Sequence, residues 1–178
     1  MLNLGQIGTE FTRSDLADVQ FEIFSGPDIA HQSPSLYPFL EYFQDKAGPR
    51  KMAARADLRP EQIKPYLSRF VMFDLMLDDA GHLQDIRGRI LGAKIIDFYG
   101  NFTNRSLKEN TNKRAVARVF RAVEQMVEQK SAVLTVAQGS VTGLKSFMVN
   151  SLYIPLSDDD DRPNYLAGAV EFVPVAGE

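Results

Sequence analysis

The chain has no cysteine and no tryptophan, and only two histidines among its 178 residues. Without cysteine there is no disulfide, no thiolate metal site, no cysteine nucleophile and no flavin photochemistry through a cysteine adduct. The two histidines, His31 and His82, stand in a Pro/Ser-rich approach and beside a turn. Neither is placed as an axial haem ligand, and a histidine metal site would lack a second ligand nearby. An excess of charge of one sign is also missing. Lys and Arg number 20 against 23 Asp and Glu, a net charge of −3, so nothing drives the chain generally toward nucleic acid or an anionic membrane. No apolar run approaches the roughly 20 residues of a membrane span. The start, MLNLGQIGTEFTRSDLADVQ, lacks the basic, apolar and small-residue order of a leader, so a cytoplasmic protein is expected. The glycosylation patterns at Asn101 and Asn104 then carry no meaning.

What is present is a run of element signals with a definite order. Residues 1–49 are rich in turn formers and read as an N-terminal extension, with residues 50–178 as the main domain. In the extension, Ser35 is a plausible cap, and Leu36, Phe39, Leu40 and Phe43 fall at i, i+3, i+4 and i+7 of an amphipathic helix ending near Gly48-Pro49. Pro60 opens another helical turn, with Ile63, Tyr66, Leu67 and Phe70 on one side and Pro65 ending it early. Phe70 to Leu77 is nearly all apolar and reads as a strand. Asp78-Asp79-Ala80-Gly81 turns the chain, which returns through Leu83 to Leu91. Gly92 allows a sharp exit into AKIIDFY, where Ile95, Ile96 and Tyr99 can cover the hairpin.

Asn112 caps the longest helix, in which Val116, Val119, Phe120, Val123, Met126 and Val127 repeat at helical spacing through about Gln129. Three strands are predicted at 132–137, 146–154 and 165–173, separated by turns at GSVTG and SDDDDRPN. The economical packing is α+β: a five-stranded antiparallel sheet of PAS-like order with helices on one face.

The ordered series ARADLRPEQIKPYLSRFVMFDL, RGRILGAKIIDFYG, NFTNRSL and LYIPLSDDDD resembles a bacterial stand-alone PAS-domain subfamily, formerly a domain of unknown function, over roughly residues 36–172. The matching positions are Ala56-Asp57-Pro60, Arg89-Ile90-Leu91-Gly92, Gly100 and Ile154-Pro155-Leu156. Two positions depart from the family pattern: Gly88 stands where an aromatic residue is usual, and Asn104 replaces a glycine. Asn is the non-glycine residue that best tolerates a left-handed backbone. The resemblance implies a cavity between sheet and short helices, with or without a small molecule, and a surface that pairs with another protein. With no room for a kinase or cyclase, signalling would be by docking.

Arg89, among Ile86, Ile90 and Leu91, is the candidate cation for gripping a carboxylate or phosphate, or else a structural Arg paired with a carboxylate such as Asp97. Phe73, Leu75, Ile90, Ile95, Phe98 and Tyr99 are candidates for a ligand pocket, or are simply core. Because 70–77 is apolar on both sides, its outer face needs cover. The Leu36/Phe39/Leu40/Phe43 stripe can supply it within the chain or across a homodimer, and these four residues are the candidate interface. Asp158 to Asp161 lacks the spacing of a calcium loop and reads as a solvated hairpin tip. Arg114, Arg118 and Arg121 form a basic edge on the long helix and read as a solvated face. Neither a nucleophile elbow, a phosphate loop nor a pair of acids in a helix face is present, so no catalytic residue is named. The reading is a non-catalytic sensor or adaptor with an unknown cofactor, no metal, a homodimeric state and a signalling protein as partner. Its alternatives are a pure interaction module without ligand and a small pocket-containing α+β enzyme.

Overall fold

The computed structural model describes residues 21–141 and 145–175. Six antiparallel strands form one sheet in the order β1-β4-β5-β6-β2-β3. They are β1 (Phe21–Ser25), β2 (Phe70–Leu77), β3 (Leu83–Leu91), β4 (Val133–Val141), β5 (Lys145–Leu156) and β6 (Tyr165–Pro174). The helices are α1 (Asp28–Gln32), α2 (Tyr37–Ala47), α3 (Ala93–Tyr99) and α4 (Lys113–Gln129). The expected hairpin and three-strand meander share this sheet, joined where β6 pairs with β2, Val71 opposite Gly168 and Phe73 opposite Leu166. The GSVTG turn lies partly outside the described residues.

The sheet has a sixth strand beyond the five expected. β1 pairs with β4, Ile23 opposite Thr135, and so forms one edge. Its sequence, FEIFS, is five residues long and carries no turn signal tying it to a neighbour in sequence, since its partner lies more than a hundred residues away.

Helices cover both faces, not one. Alternate residues of a strand point to opposite faces, and the two apolar clusters sort by that rule. Val71, Phe73 and Leu75 of β2 face α3 and α4, together with Val149, Tyr153, Leu166 and Val170. Phe70 and Met72 face the other way, into a second cluster with α2 and with Leu134, Leu152, Leu156, Ala167 and Ala169. Leu36, Phe39, Leu40 and Phe43 are all buried in that second cluster. The stripe therefore covers the sheet of its own chain, the first of the two placements expected of it, and the cluster it joins holds residues from both sides of residue 49. Ser35 does not cap α2: its hydroxyl donates to Glu171 Oε2 at 2.6 Å, and the capping position is Leu36, with Pro38 in the first turn. The segment after Pro60 forms two short 3-10 turns, Pro60–Gln62 and Lys64–Arg69, and Leu67 is exposed on it.

The tip at Asp158 to Asp161 is largely exposed, as expected, and is also held by specific ties. Asp160 accepts the backbone N–H groups of Lys51 and Met52, and Asp161 pairs with Lys130 at 3.0 Å. Asp159 Oδ1 accepts from the backbone of Arg162 and Asp161 and from the Ser157 hydroxyl, which together hold its pKa at about 2, below the ordinary 3.8. A lowered carboxylate pKa contributes stability that is present above the unfolded value and lost as pH falls through the folded one. Asp159→Ala is thus expected to melt below the wild type at neutral pH and to lose that deficit between pH 3.8 and about 2, as thermal melts across this range would read. A constant deficit down to pH 2 would mean that the loop does not depend on the charge.

Candidate functional site

α4 is the longest helix and crosses the inner face of the sheet. Asn112 starts it as expected, its side chain accepting from Ala115 N at 3.1 Å. Val116, Phe120, Val123, Met126 and Val127 are buried against the strands. α3 leaves β3 at Gly92 and brings Ile95 and Tyr99 against the near end of α4.

A cavity of about 40 Å³ opens where these elements meet. Its floor is Val71 and Phe73 of β2, Val170 of β6, and Ser151 and Tyr153 of β5. Its walls are Ile95 and Tyr99 of α3, Phe102, Leu107 and Asn110 of the connecting segment, and Ala115, Val116, Arg118 and Val119 of α4. As it stands it holds on the order of three water-sized volumes, far below the roughly 300–1,000 Å³ of a drug-sized pocket. Neither histidine lines it.

One corner of this apolar space is polar. Arg118 is 9 % exposed. Its Nη2 donates to Tyr99 Oη at 3.4 Å, a long bond, while Nε is buried with no hydrogen-bond partner. Among the described residues no carboxylate pairs with it; the ion pairs found are Arg50–Asp57, His82–Asp78, Arg89–Asp74 and Lys130–Asp161. Across from it lie hydroxyls. Thr135 and Ser151 sit opposite each other in the β4–β5 register and both are buried, Thr135 Oγ1 without a hydrogen-bond partner. The Tyr153 hydroxyl stands beside them. Burial pushes its pKa up, while the nearby Arg118 charge and the Ser151 hydroxyl pull the other way.

Of the predicted pocket residues, Phe73, Ile95 and Tyr99 line the cavity. Leu75 is buried in the same cluster but is not part of the lining. Phe98 stacks instead on Phe172, centroids 3.9 Å apart, and meets Phe147 edge-on at 5.7 Å. Arg89 and Ile90 lie away from the cavity. Ile90 is 43 % exposed, and Arg89 forks onto Asp74, with Nε at 3.2 Å from Oδ1. Arg89 is thus a partnered surface cation, its partner being Asp74 rather than Asp97. The cation at the cavity is Arg118, and not a member of a solvated basic edge as its sequence position suggests. Arg114 and Arg121 do lie outside the core.

The two departures from the family pattern resolve locally. A Cβ on Gly88 would stand 2.6 Å from Phe102 O and 3.0 Å from its ring, so the chain of the 101–105 segment occupies the room an aromatic side chain would need. Phe102 fills that side of the core, its ring 5.9 Å from Phe73. Asn104 has φ of 62°, the left-handed conformation expected of it, and its N–H donates to Gly88 O at 2.8 Å.

An antiparallel sheet in the order β1-β4-β5-β6-β2-β3, with the connection between its hairpin and its meander arched over a small cavity, defines an α+β fold. The model of the PAS domain family matches residues 31–171, and the chain belongs to that family. No curated protein matches the chain. No described helix is long and apolar enough to cross a membrane, and no cluster of three or more His, Asp or Glu suited to a metal occurs among the described residues.

Proposed function

We propose that the chain is a non-catalytic cytoplasmic PAS sensor that takes a small molecule into the cavity beneath α3 and α4 and passes its occupancy to a protein partner. The observation that carries this reading is the cavity itself: apolar on most sides, polar at one corner, and roofed by the two helices that link the two halves of the sheet. Filling it can alter how α3 and α4 sit, and a ligand shifts such an equilibrium only by its difference in affinity between the two arrangements. The exposed Met76 and Ile90 on the β2–β3 hairpin offer apolar contacts to a partner.

The test is binding without prior assumption of the ligand. Native mass spectrometry of protein from its own cells, with thermal-shift screening against a panel of metabolites, is expected to give a co-purifying mass or a concentration-dependent rise in melting temperature. Neither appearing would favour the second reading, an interaction module whose cavity holds only water.

A further inference from the structure

Arginine cannot shed its proton inside a protein, so a buried guanidinium keeps its full charge and must find compensation. Arg118 has one long bond to a neutral phenol, an unpartnered Nε, and no carboxylate among the described residues. Losing water without gaining an anion is strongly unfavourable for such a group. The compensation has a place to sit, because Arg118 lines the cavity.

Resting on the sensor reading above, we infer that the cavity takes a small monocarboxylate, its carboxylate on Arg118 and its short alkyl end on Val71, Phe73 and Val116. Three features select this chemistry. The guanidinium edge suits a planar carboxylate with two oxygens, and Nε is one of the donors such a fork uses. A single buried cation matches a single negative charge. A phosphate dianion would leave charge uncompensated among apolar side chains and pay its desolvation in full. The remaining lining is apolar, and its space suits on the order of three to five non-hydrogen atoms, estimated from the room a water needs. The hydroxyls of Tyr99, Tyr153 and Ser151 complete the polar corner; all three belong to the lining.

The experiment titrates the full chain calorimetrically with acetate, propionate and glycolate, and with propionamide, chloride and inorganic phosphate as controls. At least one of the three acids is expected to bind one-to-one, with propionamide at least about tenfold weaker than propionate, since only the acid carries the charge. Arg118→Met, close in volume, should melt cooperatively and lose about tenfold or more in affinity, and Arg118→Lys should fall between it and the wild type. The amide control needs no variant, so it decides even if Arg118→Met does not fold. Propionamide equal to propionate, or phosphate tighter than every acid, would overturn the inference. So would silence from all the acids: with another metabolite found by mass spectrometry the sensor reading stands without the carboxylate, and with no ligand of any kind both fall.

Discussion

Phe39→Ala is expected to lower the stability of the isolated chain by about 3–5 kcal/mol while leaving its solution mass unchanged. Phe39 is a fully buried residue of α2, with ring centroids 5.2 Å from Phe43, 5.1 Å from Tyr66 and 6.2 Å from Phe70. Truncation removes the hub of that aromatic group and leaves a hole bordered by α2, the 3-10 turn and β2. Domains of this kind carry only about 5–15 kcal/mol in total, so the loss is a large share of the whole. Urea unfolding read by circular dichroism, paired with light scattering under native conditions, separates two accounts of this helix. If α2 covered the sheet of a second copy, the variant would fall to a lower mass and the monomer's stability would change little. That result would contradict the intramolecular packing.

Why α2 covers its own sheet follows from the arithmetic of β2. Phe70 and Met72 point opposite to Val71, Phe73 and Leu75, so the strand needs an apolar layer on each side. The sequence announces this need, because the run is apolar at nearly every position, and it announces the Leu36/Phe39/Leu40/Phe43 stripe. What it cannot announce is which sheet the stripe meets, since periodicity carries no distance information. The same limit hides β1, whose partner is far along the chain. By contrast α4, the 70–91 hairpin and the order of the last three strands rest on local signals: a cap, a 3.6-residue repeat, turn residues between extended runs. These are legible.

The candidate site divides the same way. Phe73, Ile95 and Tyr99 are readable as cavity residues because the family resemblance and the hairpin-to-helix exit put them under one roof. Arg118 is not, since a charged residue in an amphipathic helix is by default on the wet side. One hint was available. Ala115 and Ala122, at i−3 and i+4 from Arg118, are small, and both are buried, which lets neighbouring structure close over the arginine. The hydroxyl row of Thr135 and Ser151 lies on two different strands and becomes a row only once their register is fixed. Arg89 has apolar neighbours in sequence, but a one-residue step along a strand moves a side chain to the opposite face. Gly88, without a side chain where an aromatic residue is usual, still leaves no room. The backbone of Phe102 takes that space up.

Gly92→Ala is expected to cost about 3 kcal/mol, the upper end for forcing a methyl group into filled space, and to disturb the cavity as well. Gly92 has φ of −66° and ψ of 156°, which any residue adopts, so the demand here is for room and not for backbone freedom. A Cβ would lie 2.4 Å from Ser68 O and 2.5 Å from both Leu67 O and Ser68 C, all backbone atoms of the 3-10 turn before β2. These cannot swing aside as a flexible side chain would. The Gly92 N–H also donates to Phe70 O at 2.8 Å, which fixes the end of β3 beside the start of β2, and its carbonyl accepts from Ile95 and Ile96 to begin α3. Relief of the clash therefore moves α3, and with it Ile95 and Tyr99, two of the cavity's walls. Gly81→Ala supplies the contrast. Gly81 has φ of 88° and nothing within 4 Å of an added Cβ, so its cost is conformational strain alone, about 1–2 kcal/mol, with no effect on the cavity. Denaturant unfolding of both variants, with ligand titration of whichever compound the wild type takes, should rank Gly92→Ala as the costlier in stability and the only one that weakens binding. The reverse order would mean that the strand-to-helix exit is looser than its backbone contacts require.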